Sequence, residues 1–118
     1  MENLNALFET QKAYRWQMSK TSVQERRDYL KKLKASVESH REEIKEALYK
    51  DFKKPYPESE LTEIHTVLDE INFAIKHLKC WMKPRKVRTP LTLFGSSSSI
   101  HYEAKGVVLV LAPWNYPF

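Results

Sequence analysis

Residues 106–118 read GVVLVLAPWNYPF. Positions 107–112 are apolar without a break, and a strand that is apolar at every position, rather than at alternate ones, must be covered on both faces. That is the habit of a central strand in a parallel sheet flanked by helices, so the expected fold class is α/β. Gly106 permits a sharp turn into this strand, and Pro113 and Pro117 bracket Trp114, Asn115 and Tyr116 at its carboxyl end. The preceding residues offer three helices, enough to cover one face at most, and no neighbouring parallel strands. The expectation is the N-terminal part of a larger α/β protein, cut where the sheet begins.

Leu4, Leu7, Phe8, Tyr14 and Met18 predict a first helix over about residues 2–18. Ser22 and Glu25 then stand three apart, the capping-box pattern, and start a second helix near residue 22. Its stripe is Val23, Leu30, Leu33, Val37, Ile44 and Leu48, running without interruption to about Lys50. The segment DFKKPYPES carries two prolines within three residues and predicts a connection of about eight residues. A third helix follows over about residues 58–82, where Leu61, Ile64, Leu68, Ile71, Ile75, Leu78 and Met82 alternate steps of three and four. Beyond Pro84 the period changes. Residues 87–94 and 100–103 predict a β-hairpin around a Gly-Ser-rich loop at 95–99, with Pro90 confining the first strand to an edge or a bulge.

Composition excludes several classes. With 118 residues, 42% apolar and 30% charged, the chain is globular rather than disordered and too short for most two-domain enzymes. No apolar run approaches the ~20 residues that span a bilayer, and the N-terminus lacks the basic and apolar regions of a signal peptide, so a cytoplasmic location is expected. The net charge of +5 is spread through helices in which acidic residues interleave, which marks solvated faces rather than a nucleic-acid surface. Only Gly95 and Gly106 are present, so neither a GxGxxG nor a Walker loop exists here.

His40, His65, His77 and His101 show no metal-ligand spacing, and no metal site is expected. Cys80, the single cysteine, falls in the last turn of the third helix, where the dipole disfavours a thiolate; it reads as a packing residue. Asn115 differs. It lies at the end of a buried strand, where ligands bind in open α/β sheets, and an amide held between rigid neighbours suits a developing oxyanion. An asparagine capping a turn beside packed aromatics fits the same residues, and the residues alone leave both readings open.

The whole chain resembles the entrance of the aldehyde dehydrogenase superfamily, in which a Gly-Val-Val strand runs into a Pro-Trp-Asn-Phe/Tyr-Pro turn. The match extends through ERRDYLKKLKASVESHREEIKEALYKDFKKP, SELTEIHTVLDEINFAIKHLKCWMKP and KVRTPLTLF. The short N-terminus, Trp81 at the end of the third helix and Tyr116 in place of Phe are most similar to the class-three, or fatty-aldehyde, subgroup. The resemblance implies that 1–86 is the helical part of an NAD(P)-binding, Rossmann-like domain. It makes 87–104 a bridging hairpin used in dimerisation, and 105–118 the first buried strand and active-site turn. It makes Asn115 an oxyanion-hole donor, places Leu111, Ala112, Pro113 and Trp114 on the nicotinamide side of an NAD or NADP cleft, and turns Tyr116 toward the aldehyde tunnel. The implied reaction is oxidation of an aldehyde to a carboxylic acid through a cysteine thiohemiacetal. The family's nucleophilic cysteine and general-base glutamate would lie after Phe118, so this chain alone is expected to be inactive, and Cys80 does not align with the nucleophile. The approach EAKG departs from the family's Pro-containing one. The alternative expectation is a non-catalytic helical module that docks on another subunit.

Overall fold

The computed structural model describes residues 2–118. In chain order the elements are α1 (Glu2–Ser19), α2 (Val23–Ser39), α3 (Arg41–Phe52), α4 (Tyr56–Ser59), a π-helical turn (Glu60–Ile64), α5 (His65–Trp81), β1 (Arg85–Val87), a 3₁₀ turn (Leu91–Leu93) and β2 (Ser98–Ile100). The architecture is mostly helical, with one small antiparallel sheet. The chain divides into two compact units. One is Gln24–His77 with Val110–Phe118; the other is the residues up to Val23 with Leu78–Leu109.

The first of these units holds the core. Val37, Ile64 and Leu68 are buried together, with Ile44 and Val67 packed against them, and Leu48 and Ile71 are buried as well. Burying each such side chain contributes about 1.5–3 kcal/mol. Polar ties fix α2 antiparallel to α5: Arg27 Nε donates to the Ile75 carbonyl at 3.1 Å, and Lys34 Nζ to Asn72 Oδ1 at 3.0 Å.

The single long helix expected over residues 22–50 is two helices. It breaks at His40, whose φ of −101° and ψ of 15° leave the helical region. The local cause is competition for the Ser36 carbonyl, which lies 2.9 Å from Ser39 Oγ and 2.7 Å from His40 Nδ1 as well as accepting from the His40 backbone N–H. The apolar stripe survives at Val37 and Leu48, whereas Leu33 is exposed.

The connection between the second and third predicted helices is far shorter than expected. Phe52 is still helical, and helix resumes at Tyr56, leaving only residues 53–55 outside. Lys53 takes the left-handed conformation, φ 61°, and its N–H closes α3 on the Tyr49 carbonyl at 3.0 Å. Pro57 is tolerated because it sits in the first turn of α4, where backbone N–H groups need no intrahelical partner.

The third predicted helix also departs from its pattern. The His65 N–H bonds to the Glu60 carbonyl, five residues back, which widens the turn. One extra residue shifts the phase of what precedes it by about 100°. Leu61 is therefore 69% exposed instead of buried, while Ser59 and Glu63 turn inward beside Ile64.

In the other unit, β1 and β2 pair antiparallel with Arg85 opposite Ile100, Lys86 opposite Ser99 and Val87 opposite Ser98. The ribbon is shorter and begins earlier than the hairpin expected over 87–103. Pro90 has no N–H to give a ladder, and the chain after it coils into the 3₁₀ turn. Cys80 is exposed, not packed. It lies with Trp81, Lys83, Pro84, Arg85, Lys86 and Tyr102 along a groove at the end of α5.

Gly106 has φ 117°, a conformation that favours glycine, as the expected sharp turn requires. The run 107–112 that follows forms no ladder, and Val108, Leu109, Val110 and Leu111 are 72–83% exposed. A strand's backbone groups must find partners on a neighbouring strand, and among the described residues no strand lies alongside.

Candidate active-site turn

Local sequence builds the site from two directions. The chain reverses at 113–116, where the Tyr116 N–H reaches the Pro113 carbonyl at 3.3 Å and places Trp114 and Asn115 at the two central positions. Beneath the turn, Lys54 sits between the left-handed Lys53 and Pro55, and a residue before proline is held to an extended backbone. Glu63 comes from the π turn.

Lys54 and Glu63 form an ion pair, Nζ to Oε1, at 2.6 Å, with side chains 3% and 1% exposed. Both partners use their remaining capacity on the turn. Lys54 Nζ donates to the Asn115 carbonyl at 3.4 Å and lies 4.1 Å from the centre of the Tyr116 ring. Glu63 Oε2 accepts the Phe118 backbone N–H at 3.0 Å. The ammonium has three donors and the carboxylate two acceptor oxygens, so the pair holds the main chain on both sides of Tyr116.

Glu60, in the same π turn, is bound by α3. Arg41 Nη1 donates to its Oε1, and Lys45 Nζ lies 3.5 Å from its Oε2 and 2.6 Å from Glu42 Oε1. The hydrogen bond that Lys45 Nζ donates to Glu42, aided by the charges of Glu42 and Glu60, holds the Lys45 ammonium above the usual lysine pKa.

The side chain of Asn115 is not what the pair grips; its carbonyl is. Asn115 is exposed at the surface of this chain, as are Leu111, Ala112, Pro113 and Trp114, and Tyr116 packs its ring against Lys54. The sequence-predicted residues are thus contiguous at one turn. Lys54 and Glu63 were not among them. A signal existed for Glu63, which continues N-terminally the four-residue ridge of Val67 and Ile71, and for Lys54 in its place before Pro55. The histidines are engaged on their own segments: His65 Nε2 lies 3.3 Å from Asp69, His77 Nδ1 2.8 Å from the Phe73 carbonyl, and His101 Nε2 3.0 Å from Ser99 Oγ. No helix among the described residues is long and apolar enough to cross a membrane.

Residues 2–118 match the family model of the aldehyde dehydrogenase family. The chain is 46% identical over 93 residues to the 4,4'-diaponeurosporen-aldehyde dehydrogenase of Staphylococcus aureus, which covers 79% of this chain and 20% of that protein. It is 46% identical over 89 residues to aldehyde dehydrogenase family 3 member H1 of Arabidopsis thaliana, covering 75% of this chain and 18% of that protein. The solved substrate-bound state of Staphylococcus aureus AldH superposes with a TM-score of 0.77 at 37% identity, over 83% of this chain and 21% of that one. The chain spans between 18 and 26% of the length of these and other curated relatives. From its first helix to the turn that carries Asn115, the chain belongs to the aldehyde dehydrogenase family.

Proposed function

We propose that these residues are the N-terminal part of an NAD(P)-dependent aldehyde dehydrogenase that oxidises an aldehyde to a carboxylic acid. The observation that carries the reading is the turn itself: Asn115 stands at its centre, with its backbone carbonyl held by a buried ion pair and its side chain exposed. In this role the Asn115 amide N–H₂ donates to the oxygen of the aldehyde carbon as a cysteine thiolate from the rest of the enzyme adds to it. The oxygen gains negative charge at that moment, and a donor fixed beforehand stabilises it without reorganising.

For the cofactor, the residues present fit one part. Leu111, Ala112, Pro113 and Trp114 offer an apolar surface suited to the face of a nicotinamide ring, while neither Gly95 nor Gly106 belongs to a phosphate-binding loop. The bound NAD(P)⁺ supplies a hydride acceptor; these residues would orient it and exclude water. The exposed run 107–112 would complete its ladder in the cofactor domain of the longer enzyme, and the β1–β2 ribbon would serve a homodimer. A cytoplasmic setting accords with this reading.

The exposed apolar positions 108–111 also favour a second reading, a non-catalytic module that docks on another subunit. One assay separates the two. On the first reading, the longer protein converts aldehyde and NAD⁺ or NADP⁺ to acid and reduced cofactor, while the 118-residue chain alone yields none. Turnover by the short chain, or none by the longer protein with any aldehyde tried, would overturn the proposal.

A further inference from the structure

The geometry points to Lys54 and Glu63 as positioning residues that set the reach of the Asn115 amide into the oxyanion site; this rests on the oxyanion role proposed above. Neither side chain is available to a substrate, because both are sealed from solvent. Their contacts instead converge on the backbone that carries the donor. Lys54 Nζ binds the carbonyl of Asn115 itself and covers the ring of Tyr116, and Glu63 Oε2 holds the N–H of Phe118.

The pair is in turn fixed by two local departures from regular structure. The π turn swings Glu63 inward, and the left-handed Lys53 followed by Pro55 aims Lys54 at it. A purely stabilising contact at this point would be served as well by packed hydrophobic side chains, since a buried ion pair gains little or nothing over an apolar replacement of similar volume. What apolar side chains cannot do is bind a carbonyl and an N–H on either side of Tyr116. A displacement of about 1 Å at a catalytic donor costs on the order of 10²-fold in rate.

The test uses the full-length dehydrogenase with four variants: Asn115→Ala, Glu63→Gln, Lys54→Arg, and the double substitution Lys54→Met with Glu63→Leu. The double variant leaves no orphan charge and is expected to fold with near-unchanged Tm. The positioning role predicts that its kcat falls ~10- to 100-fold while KM for NAD(P) stays within about twofold. Glu63→Gln behaves likewise where it folds, and Lys54→Arg, which keeps the charge and the donors, retains more activity than the double variant. Added to Asn115→Ala, the double substitution produces no further loss, because it acts through Asn115. Wild-type kcat in the double variant, or losses that multiply with that of Asn115→Ala, would overturn the positioning role. An Asn115→Ala enzyme with unchanged kcat would instead overturn the oxyanion reading on which it rests.

Discussion

Replacing Glu63 by Gln in the 118-residue chain keeps size and shape but leaves the Lys54 ammonium buried without its carboxylate. The pair is 2.6 Å apart with side chains 3% and 1% exposed, so water cannot compensate the orphaned charge. Removing one partner of such a pair costs about 3–5 kcal/mol, whereas an exposed pair contributes about 0–1. The buried apolar residues among those described are few, Val37, Leu48, Ile64, Leu68 and Ile71, so a loss of this size is a large fraction of the unit's stability. With an m-value of about 2 kcal/mol/M in urea, the midpoint should drop by ~1.5–2.5 M. Urea denaturation followed by far-UV circular dichroism reads this directly. The double substitution Lys54→Met with Glu63→Leu should restore most of the lost midpoint, because no charge is left uncompensated. A Glu63→Gln midpoint within ~0.5 M of wild type would mean that the pair is solvated, and the reasoning would fail.

Two further outcomes follow from the same structure. Ile64→Ala should destabilise the chain by about 2–5 kcal/mol, whereas Leu61→Ala, three residues earlier on the same periodic pattern, should stay within about 0.5; matched denaturation curves compare them. Stability should also depend on pH at both extremes. The Lys45 pKa is raised by its hydrogen bond to Glu42 and by the charges of Glu42 and Glu60, so its contribution is full below the unfolded pKa and is lost as pH rises through the folded one. The Glu46 pKa is lowered, first by its hydrogen bond to Lys50 and then by the charge, so its contribution is present above the unfolded pKa and is lost as pH falls through the folded one. Midpoints measured from acid to alkaline pH, with Lys45→Met flattening the alkaline fall and Glu46→Gln the acid one, check the assignment.

The legible part of the sequence was the part governed by apolar period. Ile64, Leu68 and Ile71 were readable as one face and are buried. Periodicity cannot see the break at His40, because the stripe resumes beyond it and the cause is a contest for one carbonyl. Nor can it see the π turn, which leaves composition unaltered and only shifts phase, so Leu61 was placed inside and Glu63 overlooked. Nothing in the residue types marks Lys54 or Glu63, because a lysine in a connection and a glutamate on a helical segment are both ordinarily solvated, and the burial of each depends on a partner 9 residues away. The hairpin was expected in roughly the right place, but Pro90 ends regular pairing sooner than β-branched content implied. The run 107–112 shows the limit from the other side: its apolar character specifies a covered strand, yet a ladder forms only where a second strand is present.

The most direct measurement of the central claim is the steady-state rate of the longer dehydrogenase proposed above, with Asn115 changed to Ala. An oxyanion donor is needed only as charge develops, so kcat should fall by about 10²–10³ while KM for the cofactor is little altered. An Asn115→Ala enzyme that turns over aldehyde at the wild-type rate would contradict the assignment of this turn to the chemistry.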